Sequence, residues 1–183
     1  MTRPSTALSV ALALGLCQSP AVAQPAPAPG GDARRAGFLP KFPRYVTWPQ
    51  AQRLAPGGAY QLCVIGRDPF GRALEAAAAG EQIDGHGVAV RRLPGSDGAG
   101  GCHLAYVRGA DAVETDRLLL ALRSLPVLTI TDAESGSQRG MIHLATISGR
   151  TRFFINEAEA ARLGLTISSR LLALAAGVTP RRR

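Results

Sequence analysis

The sequence predicts an α/β protein: one layered domain with a mostly parallel sheet flanked by helices and an antiparallel C-terminal hairpin. Apolar, β-rich segments alternate along the chain with segments that carry helix caps, which is the pattern of parallel βαβ units. The chain has no internal repeat, and the part that follows its N-terminal segment has about the length of one domain. We therefore expect residues 37–178 to form a single domain.

The first 23 residues have the features of a cleavable export signal. Arg3 precedes an apolar run at 7–16, and the small residues at 21–23 (AVA) form a signal-peptidase site. The run is too short for a membrane-spanning helix, which needs about 20 residues. Cys17 superficially resembles a lipoprotein cysteine, but the bulky Leu16 before it argues against lipidation. The mature chain is therefore expected to be exported.

Composition then limits the partners. The chain carries 21 Lys and Arg against 13 Asp and Glu, a net charge of +8, and loss of Arg3 with the signal leaves +7. Export argues against nucleic acid, the partner that a basic cytosolic protein would suggest. Residues 24–36 are predicted to be a Pro/Ala-rich linker and residues 179–183 a solvated basic tail, with contact to anionic lipid as the alternative for the tail.

The first elements follow from proline placement and caps. In FLPKFPRYVTWP the apolar residues have helical spacing, but Pro40 and Pro43 exclude a long regular helix, so a short, distorted helix should begin near Pro40. YQLCVIG at 60–66 is predicted to be a buried strand. Asp68 is the expected N-cap of the next helix, with a proline at its first position, and Gly80 should end that helix.

The remaining elements continue the alternation. Strands are predicted at 88–93, 103–109 and 127–132, and a hairpin (MIHLATIS and TRFFIN) should turn at Gly149. Asp111 with Glu114 forms a capping box for a helix that ends near residue 125.

Two short helices should close the domain. Asn156, with Glu159 at the capping-box position, should begin one helix, and Gly164 should end it. Ser168 or Ser169 should cap the last helix, whose predicted apolar stripe is Leu171, Leu172, Leu174 and Ala175.

Motifs of catalysis are missing from the sequence. No GxGxxG or GxxxxGK[ST] follows a predicted strand, and GxSxG does not occur, so we predict no enzyme activity and no cofactor. His86, in a glycine-bounded turn, is expected to be exposed, and His103 and His143 lie in predicted strands. Their spacing favours structural or solvated roles over a metal site.

A small-ligand crevice is the site that the predicted topology allows. Loops at the carboxyl ends of parallel strands line the binding crevice of α/β sheets. This places Asp68, Asp111, Ser135 and Gln138 at a candidate crevice, with Asp132 and Glu134 on the same rim. Helix capping is the alternative role for Asp68 and Asp111.

Two cysteines remain once Cys17 leaves with the signal. In an oxidising compartment Cys63 and Cys102 indicate one disulfide, and two buried thiols are the alternative. Their separation in sequence excludes a CxxC redox centre.

Five segments in order are similar to the YfiR family: FLPKFPRYVTWP, YQLCVIGRDPFGRAL, CHLAYV, LPVLTITD and RGMIHLATISGRTRFFINEAEAARLGLTISSRLLALA. The resemblance covers residues 37–176 and implies a small periplasmic regulator. In the best-known system of this family, the regulator represses an inner-membrane diguanylate cyclase through its periplasmic part, and an outer-membrane lipoprotein sequesters the regulator. Release of the cyclase raises cyclic di-GMP and promotes biofilm. Other relatives serve membrane sensors such as histidine kinases, and family members associate as dimers, so a homodimer is expected.

The resemblance also carries to particular residues. Cys63 and Cys102 match the disulfide positions of the family. Some relatives have a second cysteine pair after the TITD strand, which AESGSQRGM lacks, and Pro43 interrupts a helix that relatives continue.

The leading hypothesis is a non-enzymatic regulator that contacts a membrane signalling protein, and the alternative is a periplasmic small-molecule binding protein. For the partner contact the sequence offers the apolar and basic segment of Phe38, Leu39, Lys41, Phe42 and Arg44, with packing in the core as the other interpretation.

Overall fold

The computed structural model describes residues 30–132 and 136–181. The strands are β1 (Val46–Thr47), β2 (Tyr60–Gly66), β3 (Gln82–Ile83), β4 (His86–Leu93), β5 (Leu104–Arg108), β6 (Leu128–Asp132), β7 (Ile142–Ile147), β8 (Arg150–Asn156), β9 (Thr166–Ile167) and β10 (Gly177–Thr179). The α-helices are α1 (Gly31–Ala36), α2 (Arg72–Ala79), α3 (Ala112–Leu122), α4 (Glu157–Arg162) and α5 (Ser169–Leu174). Short 3₁₀ helices lie at Leu39–Tyr45, Gln50–Gln52 and Ala99–Gly101.

Within these described ranges, eight strands form one sheet in the order β10–β8–β7–β6–β5–β2–β4–β3. Neighbouring strands are parallel, except in the β7–β8 hairpin and the β3–β4 pair. A separate antiparallel pair, β1 with β9, joins the N-terminal segment to the C-terminal one. The predicted class, a mostly parallel sheet with an antiparallel C-terminal hairpin, is confirmed.

The sheet has a core on each of its two faces. Side chains alternate along β2, so Leu62 and Val64 enter a larger core and Cys63 and Ile65 a smaller one. Residues of the long 3₁₀ helix and of α2, α4 and α5 belong to the larger core. The helix α3 packs on the smaller core through Leu118 and its neighbours. Below, the face of the sheet that bears the smaller core is called the α3 face.

Two predicted helix starts are confirmed in detail. Asp111 Oδ1 accepts a hydrogen bond from the Glu114 backbone N–H at 2.8 Å, and Glu114 Oε2 accepts one from the Ala110 N–H at 2.6 Å. Asn156 Oδ1 accepts from the Glu159 N–H at 3.1 Å. These side chains satisfy N–H groups that the first turn of a helix leaves without partners.

The last helix differs from its prediction at Leu174. Of the two serines predicted as its cap, Ser168 is the N-cap of α5. Leu171 is buried and Leu172 packs against the larger core, but Leu174 is 61% exposed. The helix is only six residues long and its outer side faces solvent, so the predicted apolar stripe overstates its buried face.

Asp68 does not cap a helix as predicted. Its Oδ1 accepts hydrogen bonds from the N–H groups of Phe70 at 2.8 Å and Gly71 at 3.2 Å, which closes a turn of the Asx type. The helix α2 begins only at Arg72, and it ends at Gly80 as expected.

Glycines permit two tight features of the sheet. Ser148 and Gly149 have φ angles of 49° and 73° and connect β7 to β8, as a type I′ hairpin turn requires. Gly66, at the end of β2, has φ of 84°, and a Cβ at this position would lie 2.2 Å from the carbonyl oxygen of Arg108 in β5.

Some elements lie where the sequence predicted none. The helix α1 occupies the second half of the segment expected to be a linker, and its Ala36 is fully buried in the larger core. At the other end β10 adds a parallel strand to β8, although a stretch of three residues that begins with glycine is too short to give a strand pattern. His86 is half-buried at the start of β4, not exposed in a turn.

Other predictions fall on residues outside the described ranges. These are the export signal at 1–23, the question of Cys17, the first part of the linker, Glu134, Ser135 and the last two arginines. Of the helices in the ranges that are described, none combines the length and apolar character of a membrane span.

Candidate functional site

The disulfide joins Cys63 to Cys102 across the α3 face. Both residues are buried, and their Cα atoms lie 5.9 Å apart. Cys63 lies in the middle of β2, and Cys102 precedes β5, the neighbour with which β2 pairs. The bond therefore fixes the connection that leads into β5, and the alternative of two buried thiols does not hold.

The N-terminal contact segment divides into buried and exposed residues. Leu39 and Phe42 belong to the larger core, and the Phe42 ring meets that of Phe153 edge-on at 6.0 Å. Arg44 donates to Glu81 at 2.6 Å and remains exposed. Because the 3₁₀ helix turns Leu39 and Phe42 inward, only Phe38, Lys41 and Arg44 of the predicted surface reach solvent.

Two aspartates predicted for the ligand crevice already have partners within the fold. Asp68 Oδ2 accepts a hydrogen bond from Arg92 Nε at 2.7 Å, in addition to its turn. Asp111 caps α3. Gln138 lines a crevice to which neither aspartate contributes. The structure therefore does not bring these three side chains to one cavity.

Asp132 is not on the rim but in the core. It is fully buried, its Oδ2 accepts a hydrogen bond from the Tyr106 hydroxyl at 2.8 Å, and Arg35 Nε lies 3.7 Å away. Burial and the nearby carboxylate raise the pKa of Tyr106, so this hydroxyl stays protonated and donates. The ion pair between Arg35 and Asp132 connects α1 to the end of β6.

The crevice that contains Gln138 lies between α3, the segment before β7 and the start of α4. Its volume is about 500 Å³. The lining residues are Asp116, Leu119, Leu120, Leu122, Arg123, Thr129, Gln138, Arg139, Met141, Asn156 and Glu159. Asp116 Oδ1 is buried there without a hydrogen-bond partner in the described chain. A hydrogen bond from Arg162 lowers the pKa of Glu159, so this carboxylate is already paired.

Burial and hydrogen bonds favour the neutral form of two of the histidines. The Gln61 N–H donates to His103 Nδ1 at 3.1 Å, so the proton of this ring lies on Nε2, which is 3.2 Å from the Gln52 carbonyl. His143 Nδ1 lies 3.0 Å from the Thr131 hydroxyl. Burial lowers the pKa of both rings, and for His143 the positive charge of Arg139 adds to this effect. No set of three potential metal ligands comes together within residues 30–132 and 136–181.

An aromatic cleft of about 420 Å³, which the sequence did not predict, lies beside β1. Trp48, Tyr60 and His86 contribute to its lining, and the Trp48 and Tyr60 rings are 5.5 Å apart. Gln52 also lines the cleft, and its Oε1 is buried without a hydrogen-bond partner in the described residues. The cleft is assembled from segments far apart in sequence, so no local motif signals it.

Comparison with known proteins gives a family and a fold. Residues 32–176 match the model of a family described as YfiR/HmsC-like. Among solved structures, a conserved domain protein from Vibrio cholerae O1 biovar El Tor str. N16961 is similar, with a TM-score of 0.52 and 14% identity over 81% of this chain. The chain spans 60% of the length of that protein, and at this identity the likeness concerns the fold alone. A search of curated proteins gives no match.

The family supplies a general function. Its members are periplasmic, interact with partner signalling proteins and act as regulators rather than enzymes, which suggests a periplasmic regulator of cyclic di-GMP signalling. The match extends from α1 through α5 and includes both cysteines of the disulfide. The chain therefore belongs to the YfiR/HmsC-like family.

Proposed function

We propose that this protein is an exported regulator that binds the periplasmic part of an inner-membrane signalling protein and represses a diguanylate cyclase. The family match over residues 32–176 is the observation that carries the proposal. The expected consequences of repression are less cyclic di-GMP and less biofilm. A homodimer and sequestration by an outer-membrane lipoprotein belong to the same proposal, because the family resemblance implies them.

The structure supports a role through protein contact. Within the described chain, Asp68 closes a turn, Asp111 caps a helix and Asp132 accepts a hydrogen bond from a buried hydroxyl. Several large apolar side chains, in contrast, remain exposed. Exposed apolar side chains near basic ones are typical of surfaces that bind other proteins.

Repression by binding has a definite energetic requirement. A regulator can shift its target only by as much as it prefers the inactive state over the active one. A preference of about 100-fold, or about 2.7 kcal/mol, converts an even mixture of states to about 1% active. A contact surface of ordinary size can supply this difference without any chemical reaction.

Cyclic di-GMP in cells tests the proposal. In a strain that lacks the gene, we expect cyclic di-GMP to rise, and the exported protein should return it to the starting level. The same chain without residues 1–23 should fail to do so, because it would stay on the wrong side of the membrane. An unchanged level after deletion contradicts the proposal and points to a different membrane sensor, such as a histidine kinase.

A small-molecule binding role is the second candidate, and the aromatic cleft favours it. Gln52 Oε1 is a buried acceptor without a partner in the described residues, beside rings that could stack on a planar ligand. A thermal-shift screen with metabolites should give a rise in Tm that Gln52→Leu abolishes. A flat response across the screen would count against this function.

A further inference from the structure

The helices cover the α3 face of the sheet unevenly. The strands β5, β6 and β7 are consecutive parallel neighbours, and α3 connects the first two. A right-handed connection from β6 to β7 runs over the same face as α3. Such connections usually contain a helix, but residues 136–141, the described part of this connection, contain none. The N–H groups of Gly140 and Met141 instead donate to threonine hydroxyls of β6.

The end of the hairpin that lies near its turn leaves side chains of the α3 face exposed. Residues paired across antiparallel strands point to the same face, and the pairs Ile147 with Arg150 and Ala145 with Arg152 face away from the larger core. Ile147 is 44% exposed, and both arginines are exposed. A helix next to α3, at the usual spacing of 8–10 Å, would lie over this region.

The uncovered region is strongly basic. It contains Arg150 and Arg152 of the hairpin, Arg139, whose guanidinium carbon lies 5.8 Å from the centre of the Phe154 ring, and Arg123 across the crevice. None of these four arginines lies within 4.0 Å of a carboxylate of the described chain, although the charge of Arg123 contributes to the lowered pKa of Glu159 in the crevice. We call the surface formed by Arg123, Arg139, Arg150, Arg152, Ile147 and Phe154 the basic half-face.

The charge and the shape of the basic half-face indicate which kind of partner binds there. The unpaired arginines favour acidic side chains, and exposed Ile147 with Leu120 of α3, which is 60% exposed, favours apolar ones. A second copy of this chain docked by the same face would bring arginine against arginine across a twofold axis. A membrane surface would not enter the crevice beside α3, whereas a helix side chain could donate to the buried Asp116 Oδ1.

We propose that the basic half-face binds an acidic amphipathic helix of a partner protein, which occupies the position of the missing crossover helix. This inference rests on the proposed function, since it names the surface with which the regulator holds its signalling partner. The partner helix presents apolar residues to Ile147 and Phe154 and carboxylates to the arginines.

Site-specific crosslinking in cells tests the inference. A photo-reactive residue replaces Ile147 in the full exported chain, and the same residue at Arg72, exposed on α2 beyond the other face, is the control. We expect a crosslink from position 147, but not from position 72, to an acidic, amphipathic helical segment of another protein. The variant Arg150→Glu/Arg152→Glu should reduce the yield about tenfold, and Arg67→Glu/Arg72→Glu, with the same charge change, should leave it unaltered.

The outcomes separate the surface from the function. Crosslinks to a second copy of the chain, to lipid or to a segment without acidic residues overturn the inference, and so does full yield from Arg150→Glu/Arg152→Glu. Cyclic di-GMP is measured in the same strains. If the unmodified protein and this variant lower it equally, the basic half-face is not the contact but the proposed function stands. If the unmodified protein has no effect, the proposed function fails.

Discussion

Removal of the disulfide should destabilise the domain by an amount that follows from chain length. Cys63 and Cys102 are separated by 39 positions. In the chain-entropy model, closing a loop of about 40 residues in the unfolded state contributes about 4 kcal/mol at 25 °C. In the variant Cys63→Ala/Cys102→Ala, the two missing sulfur atoms should remove roughly 1 kcal/mol more through lost burial. The loss is a large share of the 5–15 kcal/mol that typically stabilises a domain.

Urea unfolding at equilibrium measures this loss. The urea concentration at the midpoint of unfolding should fall. In thermal unfolding, Tm should drop by about 10–20 °C for a domain of this size. Wild-type protein with reductant should lose about 4 kcal/mol, the part that depends on the crosslink alone, whereas the double alanine variant should not respond to reductant. A difference of less than about 1 kcal/mol in the free energy of unfolding between oxidised and reduced wild type would show that the disulfide is not a main source of stability.

Three further changes probe the interior. Gly66→Ala should cost about 3 kcal/mol or more in urea unfolding, because φ is positive and the new Cβ would meet a β5 carbonyl; Gly80→Ala, at φ −91° with open space, should cost nothing comparable. Asp132→Asn should cost about 3 kcal/mol, because it removes a buried charge next to a guanidinium; equal effects of this change and of Asp97→Asn at the surface would contradict the account. For His103, burial lowers the pKa in the folded protein below the unfolded value of about 6.5. The contribution of the neutral ring to the free energy of unfolding is therefore fully present above that pH and is lost as the pH falls. The variant His103→Gln should therefore show a shallower stability loss between pH 6.5 and 5, and an unchanged slope would contradict the burial of the neutral ring.

Local signals in the sequence predicted much of the fold. The capping boxes at Asp111 and Asn156 and the turn at Gly149 depend on contacts within a few residues, so the sequence alone contains them. The alternation of strands and helices likewise predicted the parallel sheet. Asp68 misled because an aspartate before a proline can close a turn as readily as cap a helix.

The candidate sites could not be predicted in the same way. The burial of Asp132 depends on Tyr106 and on Arg35 from α1, which lies almost a hundred residues away in a segment that resembles a linker. The basic half-face depends on which side of the sheet the hairpin arginines occupy and on the lack of a helix in residues 136–141, the described part of the connection to β7. Both are properties of the topology, and no single stretch of sequence encodes them.

The proposed function requires that this protein act from the periplasmic side by contact with a membrane signalling protein. The most direct test adds the purified mature chain to spheroplasts of the deletion strain, whose periplasmic membrane face is accessible, and measures cyclic di-GMP synthesis. We expect synthesis to fall with added protein and Arg150→Glu/Arg152→Glu to be much less effective. Synthesis that stays constant at every protein concentration would contradict the proposed function.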